Sequence, residues 1–209
     1  MAYIYSLDKD GIIYSATEPL ALAARNASAG AAVENSNSSN TVGIDYTRVG
    51  RGATYQYRRA FYLFDVSGAS GTAESCDFEV YSSSSNGIHI VPVYSNAHED
   101  LVVDDYNNVF SVGTFDMTDY ATSSAWGSSG YHTYDLNSDG LTALNSAIGS
   151  GHFKIALVSR DDYLAVAFPS SDSLETIVFS DSAVNKPRIE ITYASTAVTY
   201  NAPFLGANF

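Results

Sequence analysis

The chain has 209 residues, a size that one all-β domain can fill without disulfide staples. Hydrophobic residues make up 45% and charged residues 16%, below the usual share of about 25%, so the surface must lean on Ser, Thr, Asn and the sixteen tyrosines. The formal charge of −13 is unevenly spread: residues 60–153 hold twelve acids and no lysine or arginine, while residues 1–59 hold six bases against five acids. An acidic body of this kind repels polyphosphate, which argues against nucleic acid as a partner.

The single cysteine, Cys76, excludes an internal disulfide. No apolar run approaches the ~20 residues of a membrane helix, so no membrane partner is expected. The opening residues Met1 to Asp10 lack the basic lead and apolar core of a signal peptide, so Sec export is not expected either.

In chain order, runs with a period of two recur between clusters of Gly, Ser, Asn and Asp. Strands are predicted at Gly11 to Ala16, Val42 to Val49, Tyr55 to Val66, Cys76 to Tyr81, Ile88 to Tyr94, Asn108 to Met117, Phe153 to Ser159, Tyr163 to Phe168, Thr176 to Phe179 and Arg188 to Tyr193. Within Tyr55 to Val66 one parity holds Ala60, Tyr62, Phe64 and Val66, and the other holds Arg59, Phe61, Leu63 and Asp65. Both parities are apolar at the centre, which predicts a strand buried on both faces. Cys76 shares its parity with Phe78 and Val80 and is expected in the core. One short helix is predicted from Leu141, Leu144 and Ile148, capped at Ser138 or Asp139 and ended by Gly149. The alanine-rich segment Ala21 to Ala32 reads either as helix or as a loop or arm.

These elements describe an all-β protein, an antiparallel β-sandwich of the jelly-roll kind with one short helix. Residues 1–40 form an N-terminal strand and arm of the same domain, 41–194 the sandwich, and 195–209 a C-terminal tail. The tail ends with Phe204, Leu205 and Phe209, apolar side chains that need a place to dock or else form a simple edge strand.

Three segments carry a family likeness: Arg58-Arg-Ala-Phe-Tyr-Leu-Phe-Asp-Val66, Tyr134-Asp-Leu-Asn-Ser-Asp-Gly140, and Val178-Phe-Ser-Asp-Ser-Ala-Val-Asn-Lys-Pro-Arg-Ile-Glu-Ile-Thr-Tyr193. Together they resemble the DNRLRE family of β-sandwich modules, which sits among carbohydrate-binding modules, over most of the chain. The resemblance implies a jelly roll that often carries calcium and sometimes binds polysaccharide. In its Tyr- and Ser-rich composition and its ending Pro-Phe-Leu-Gly-Ala-Asn-Phe, the chain also looks like small virion proteins of tailed bacteriophages.

Among chemistry-bearing motifs, Asp135, Asn137 and Asp139 stand in the D-x-N-x-D-G form of a Ca2+ loop, where alternate oxygens converge and glycine permits the turn. The twelfth position, Ser146, cannot supply the bidentate carboxylate, and a capped turn before the helix explains the same letters. Glu99, Asp100, Asp104 and Asp105 form another acidic group, and Asp161 with Asp162 a third; charges clustered in loops are usually solvated. The histidines His89, His98, His132 and His152 lie in no H-x-H or H-E-x-x-H arrangement, and no G-x-S-x-G elbow or lysine-bearing phosphate loop occurs. The expectation is therefore that the protein is not an enzyme.

The remaining candidates are aromatic. Trp126 and Tyr131 are the candidate ligand-binding residues, Trp126 being either a loop-tip contact or an anchor that plugs the end of the sandwich, with the anchor favoured. Tyr3, Tyr5, Phe204, Leu205 and Phe209 are the candidate docking residues. The expected function is a virion structural protein, a capsid decoration or fibre component with other capsid or tail subunits as partners. It would be located in the virion as a homo-oligomer such as a trimer. The alternative is a carbohydrate-binding module or adhesin for host surface polysaccharide, with calcium as a cofactor.

Overall fold

The computed structural model describes residues 3–111, 113–149, 151–166 and 173–195. Among them are twelve strands: β1 (Tyr3–Tyr5), β2 (Gly11–Tyr14), β3 (Ala32–Glu34), β4 (Ser39–Val49), β5 (Gly52–Asp65), β6 (Ala73–Ser82), β7 (His89–Tyr94), β8 (Ser124–Ala125), β9 (Gly130–Asp135), β10 (His152–Ser159), β11 (Ser173–Val178) and β12 (Arg188–Tyr193). Three short helices accompany them, α1 (Ala21–Arg25), α2 (Ser138–Ala147) and α3 (Arg160–Tyr163), with a 3-10 turn over Val103–Asn107. The antiparallel all-β fold expected from the alternation is the one that forms; α1 takes up the start of the Ala21 to Ala32 segment, which reads either as helix or as arm, and α3 is not among the expected elements.

All pairings are antiparallel, and hydrogen bonds run through the order β1-β12-β6-β11-β4-β5-β10-β7-β8, with β9 on the other side of β6 and the β2–β3 pair against β5. This network doubles over. The inner faces of β12, β6 and β9, through Ile189, Phe78 and Tyr134, meet β5, β10 and β7 through Tyr62, Phe64, Ile155 and Ile90. Cys76 is buried there as its parity required, and burial pushes its thiol up to about 12. Burying a side chain the size of Phe78 contributes about 1.5–3 kcal/mol, and this seam holds many such side chains.

β5 is the axis of the fold. Its side chains from Arg59 to Phe64 are all buried, and β4, β2 and β10 all pair with it. While Ala60, Tyr62 and Phe64 face the sandwich interior, Tyr57, Arg59 and Phe61 face a second apolar layer roofed by α1, α3 and the segment 97–117. Ala24, Tyr106, Phe110 and Met117 supply much of that roof. β4 serves both layers by breaking its alternation: Val42 enters the first core, yet Ile44, two residues on, enters the second. Gly43 makes the switch with φ of 129°, and a Cβ there would lie 1.7 Å from the Ser173 carbonyl oxygen.

The second layer encloses an ionic cluster. Arg59, Arg25 and Asp162 are all buried; Arg59 Nε and Nη2 donate to the two Asp162 carboxylate oxygens at 2.8 and 2.9 Å. Arg25 Nε donates to the Asp162 main-chain carbonyl at 2.6 Å. The carbonyls of Tyr106, Arg25 and Phe115 accept further guanidinium N–H groups, and the rings of Tyr106 and Phe110 lie against the cations. One carboxylate thus faces two guanidinium groups, and carbonyl dipoles and ring faces offset the second positive charge. Asp162, expected as a solvated loop charge, is instead a buried structural anion.

Two predicted strands do not form. Most of Asn108 to Met117 is loop with a lone bridge between Phe110 and Met117, because its apolar residues point into the roof of the second layer. In Tyr163 to Phe168, the first residue closes α3, whose N-cap Ser159 accepts from Asp162 N–H; residues 167–168 lie outside the described residues.

Candidate functional site

The outer face of the sheet β1–β12–β6–β9 gathers side chains that are far apart in sequence. Register sets Tyr5 opposite Arg188 and Tyr3 opposite Glu190; on the next strand Glu79 stands opposite Arg188 and Asp77 opposite Glu190. β9 completes the rows, with Thr133 beside Glu79, Asp135 beside Asp77 and Tyr131 beside Tyr81. Strand alternation sends Ile4, Ile189, Phe78 and Tyr134 inward and leaves these residues on the solvent side.

Arg188 is the centre of the face. Its guanidinium carbon lies 3.9 Å from the ring centre of Tyr3 and 4.3 Å from that of Tyr131, while its Nε donates to Glu79 Oε2. Thr133 Oγ1 donates to the other Glu79 oxygen at 3.3 Å, and Tyr131 Oη donates to the Lys186 carbonyl at 3.3 Å. Tyr81 meets Tyr131 edge to face at 5.4 Å, and Tyr5 tilts against Tyr3 at 6.4 Å. Tyrosine is ordinary on strand surfaces because its ring suits a pleated sheet. Here the rings are additionally locked to one another through a cation, each such contact contributing about 0.5–1 kcal/mol at an exposed site.

The face is also acidic. Asp135, Asp77 and Glu190 stand abreast on three neighbouring strands, an arrangement of like charges that opposes sheet pairing. The Asp77 carboxyl is pushed above its ordinary range, first by burial and then by Asp135, Glu79 and Glu190. Arg188 is the one arginine on these four strands.

Of the sequence-predicted residues, Tyr131, Tyr3 and Tyr5 come together on this face, although ligand binding was expected of the first and docking of the other two. Phe204, Leu205 and Phe209 lie outside the described residues. Trp126 is elsewhere: it has no solvent exposure, its indole N–H donates to Tyr134 Oη at 2.7 Å, and His132 covers it in a parallel stack at 4.4 Å. It is the anchor of the two readings, and neither of its ring faces is open to a ligand. Sequence reasoning missed Arg188 and Glu79, whose outward parity in β12 and β6 was legible but whose pairing depends on the order of strands.

The D-x-N-x-D-G segment folds as a helix cap. Asn137 Oδ1 accepts the N–H groups of Asp139 and Gly140, each at 3.0 Å, and its amide donates to Asp119. The oxygen that a calcium ion would need is thereby engaged, and Asp135 and Asp139 alone fall far short of six to eight oxygen ligands. The donor set does not fit the ion. Among the described residues no three acidic, histidine or cysteine side chains converge as metal ligands. In the other acidic groups, Glu99 and Asp100 pair with Lys9, and Glu99 also with His152. Asp105 is buried; burial raises its carboxyl, but the N–H groups of Val102 and His98 and the side chains of His98 and Asn108 outweigh that and hold it low.

A cleft of about 580 Å³ opens beside the strand ends and is lined by Ile4, Asp65, Gly68, Ala69, Ile191, Thr192 and Tyr193. Among the described residues its lining offers one carboxyl and neither histidine, cysteine nor lysine. Compared with protein-family models and with curated proteins, the chain matches none.

Proposed function

We propose that the chain is a non-enzymatic structural module that docks on other proteins through the tyrosine face, as a capsid decoration or fibre component of a phage particle. The observation that carries this reading is the stack of Tyr3, Arg188 and Tyr131 braced by Glu79. Tyrosine and arginine are the residues that concentrate binding energy at protein interfaces. Rings already packed on each other and on a guanidinium lose little freedom on docking, which favours affinity. The pairing of Tyr3 with the β12 edge agrees with a docking role for the N-terminal region.

A second reading, a carbohydrate-binding module in the manner of the DNRLRE family, is favoured by the carboxylates of Asp77, Asp135 and Glu190, which would accept hydrogen bonds from sugar hydroxyls. Against it, a sugar ring stacks on an open aromatic face, and Arg188 occupies one face of both Tyr3 and Tyr131. The reading does not depend on calcium, since Asn137 serves as a cap. The acidic charge of the chain makes nucleic acid a poor partner in either case.

The test is mass spectrometry of purified particles made with the wild-type chain and with Tyr131→Ala. Wild-type chain on the particle, and its depletion in the variant, support the proposal. Absence of the wild-type chain from particles overturns it, and retention on a glycan array that Tyr131→Ala removes would establish the second reading instead.

A further inference from the structure

The β4–β5 hairpin runs past the body of the sandwich, and the six residues from Thr47 to Gly52 at its tip are all exposed. Arg48 and Arg51 project there with Val49, which is 58% exposed. Most other cations are committed: Arg25 and Arg59 are buried, Arg58 pairs with Asp45, Arg188 with Glu79, and Lys9 with Glu99 and Asp100. Among the described residues no acid stands within ion-pair distance of Arg48 or Arg51. The tip is therefore a concentrated positive, partly apolar knob on a molecule of net charge −13.

The tyrosine face is its complement. Among the described residues its four strands carry Asp77, Glu79, Asp135 and Glu190 against one arginine, Arg188, and no lysine, and they already hold that guanidinium between two rings and a carboxylate. A second guanidinium arriving from outside would meet the same chemistry, relieving the repulsion along Asp135, Asp77 and Glu190, with Val49 free to pack on a tyrosine edge. We propose that the β4–β5 tip of one copy docks on the tyrosine face of a second copy. This rests on the reading of that face as a protein-docking surface and names one partner for it.

Tip and face are different surfaces, so the contact is heterologous: each added copy leaves one tip and one face free, and growth closes into a ring or continues as a fibre. Two copies of charge −13 repel at long range, but at physiological ionic strength the Debye length is about 8 Å and the contacting charges decide the outcome.

The experiment is sedimentation velocity of the full chain at physiological ionic strength across a wide concentration range. One variant reverses the tip (Arg48→Glu with Arg51→Glu) and another reverses the face (Asp135→Lys with Glu190→Lys), with thermal melting to confirm that each is folded. The wild type should self-associate with concentration, each variant alone should remain monomeric, and an equal mixture of the two should stop at a one-to-one dimer. In that mixture only the tip of the face variant and the face of the tip variant are intact. A monomeric wild type overturns the proposal, as does association of the tip variant equal to the wild type or a mixture that stays monomeric. Particle occupancy separates failure of this inference from failure of the docking reading: a wild type that binds particles yet stays monomeric in solution refutes self-docking alone, and one that neither binds particles nor self-associates refutes both.

Discussion

Arg59 and Asp162 are joined by a two-bond fork, 2.8 and 2.9 Å long, with both side chains almost wholly shielded from solvent. Removing the carboxylate leaves two buried guanidinium groups facing each other with carbonyls and ring faces alone for compensation. Asp162→Ala is expected to cost about 3–5 kcal/mol, the range for breaking a buried ion pair from one side. Urea unfolding measures it directly; a loss below about 1 kcal/mol would mean that the second layer does not depend on this anion.

Asp10 predicts a pH dependence. It is buried between β1 and β2, accepts Ser180 N–H at 3.0 Å and Ser180 O–H at 2.7 Å, and is pushed by burial up to about 7. Its folded value lies above the ordinary 3.8, so its contribution is present in full below that pH and is lost as pH rises toward 7. The wild type should lose up to about 4 kcal/mol from this group across that window. Because Asp105 and other carboxylates titrate in the opposite sense, the quantity to compare is the difference between wild type and Asp10→Asn as a function of pH. A difference that does not change between pH 4 and pH 7 would contradict the burial argument.

Gly43 is expected to tolerate no side chain. Both its φ of 129° and the 1.7 Å approach of the Ser173 carbonyl oppose Gly43→Ala, which should cost at least about 2 kcal/mol through backbone strain and lost β4–β11 pairing. A thermal midpoint equal to that of the wild type would show that β4 does not switch layers there.

Trp126 is the chain's one tryptophan, so intrinsic fluorescence reports on a single site. Its burial under His132 predicts blue-shifted emission that acrylamide quenches poorly, and emission that saccharides leave unchanged. Ready quenching would place the ring at the surface.

Much of the fold was legible where local and tertiary demands agreed. Both faces of β5 are apolar in sequence and buried in the structure, and Arg188–Tyr193 forms the strand expected of it. The short helix appears as predicted, although Asn137 caps it in place of Ser138 or Asp139. Disagreement came where a roof replaced a ladder. Phe110 and Met117, seven residues apart, would face opposite sides of a strand, yet both join the second layer from a loop that Arg25 holds through the Phe115 carbonyl. For α3 a signal was present: Ser159 followed three residues later by Asp162 is a helix start, and Asp162 N–H donates to Ser159 Oγ at 3.3 Å. The tyrosines were legible as candidates one by one, but their meeting on one face was not, because Tyr3 and Tyr131 are brought together by β12 and β6 lying between them, a consequence of strand order that no run of residues encodes.

The central claim is that the face around Arg188 docks protein. It is tested most directly by rebinding purified chain to particles stripped of it and comparing wild type with Arg188→Ala. The substitution removes the cation that orders Tyr3 and Tyr131, at a cost to the fold of about 1–3 kcal/mol from two ring contacts and one ion pair, so thermal melting accompanies the comparison. The account predicts affinity at least about tenfold weaker for the variant, a change of about 1.4 kcal/mol. Equal affinity of the two chains would contradict it.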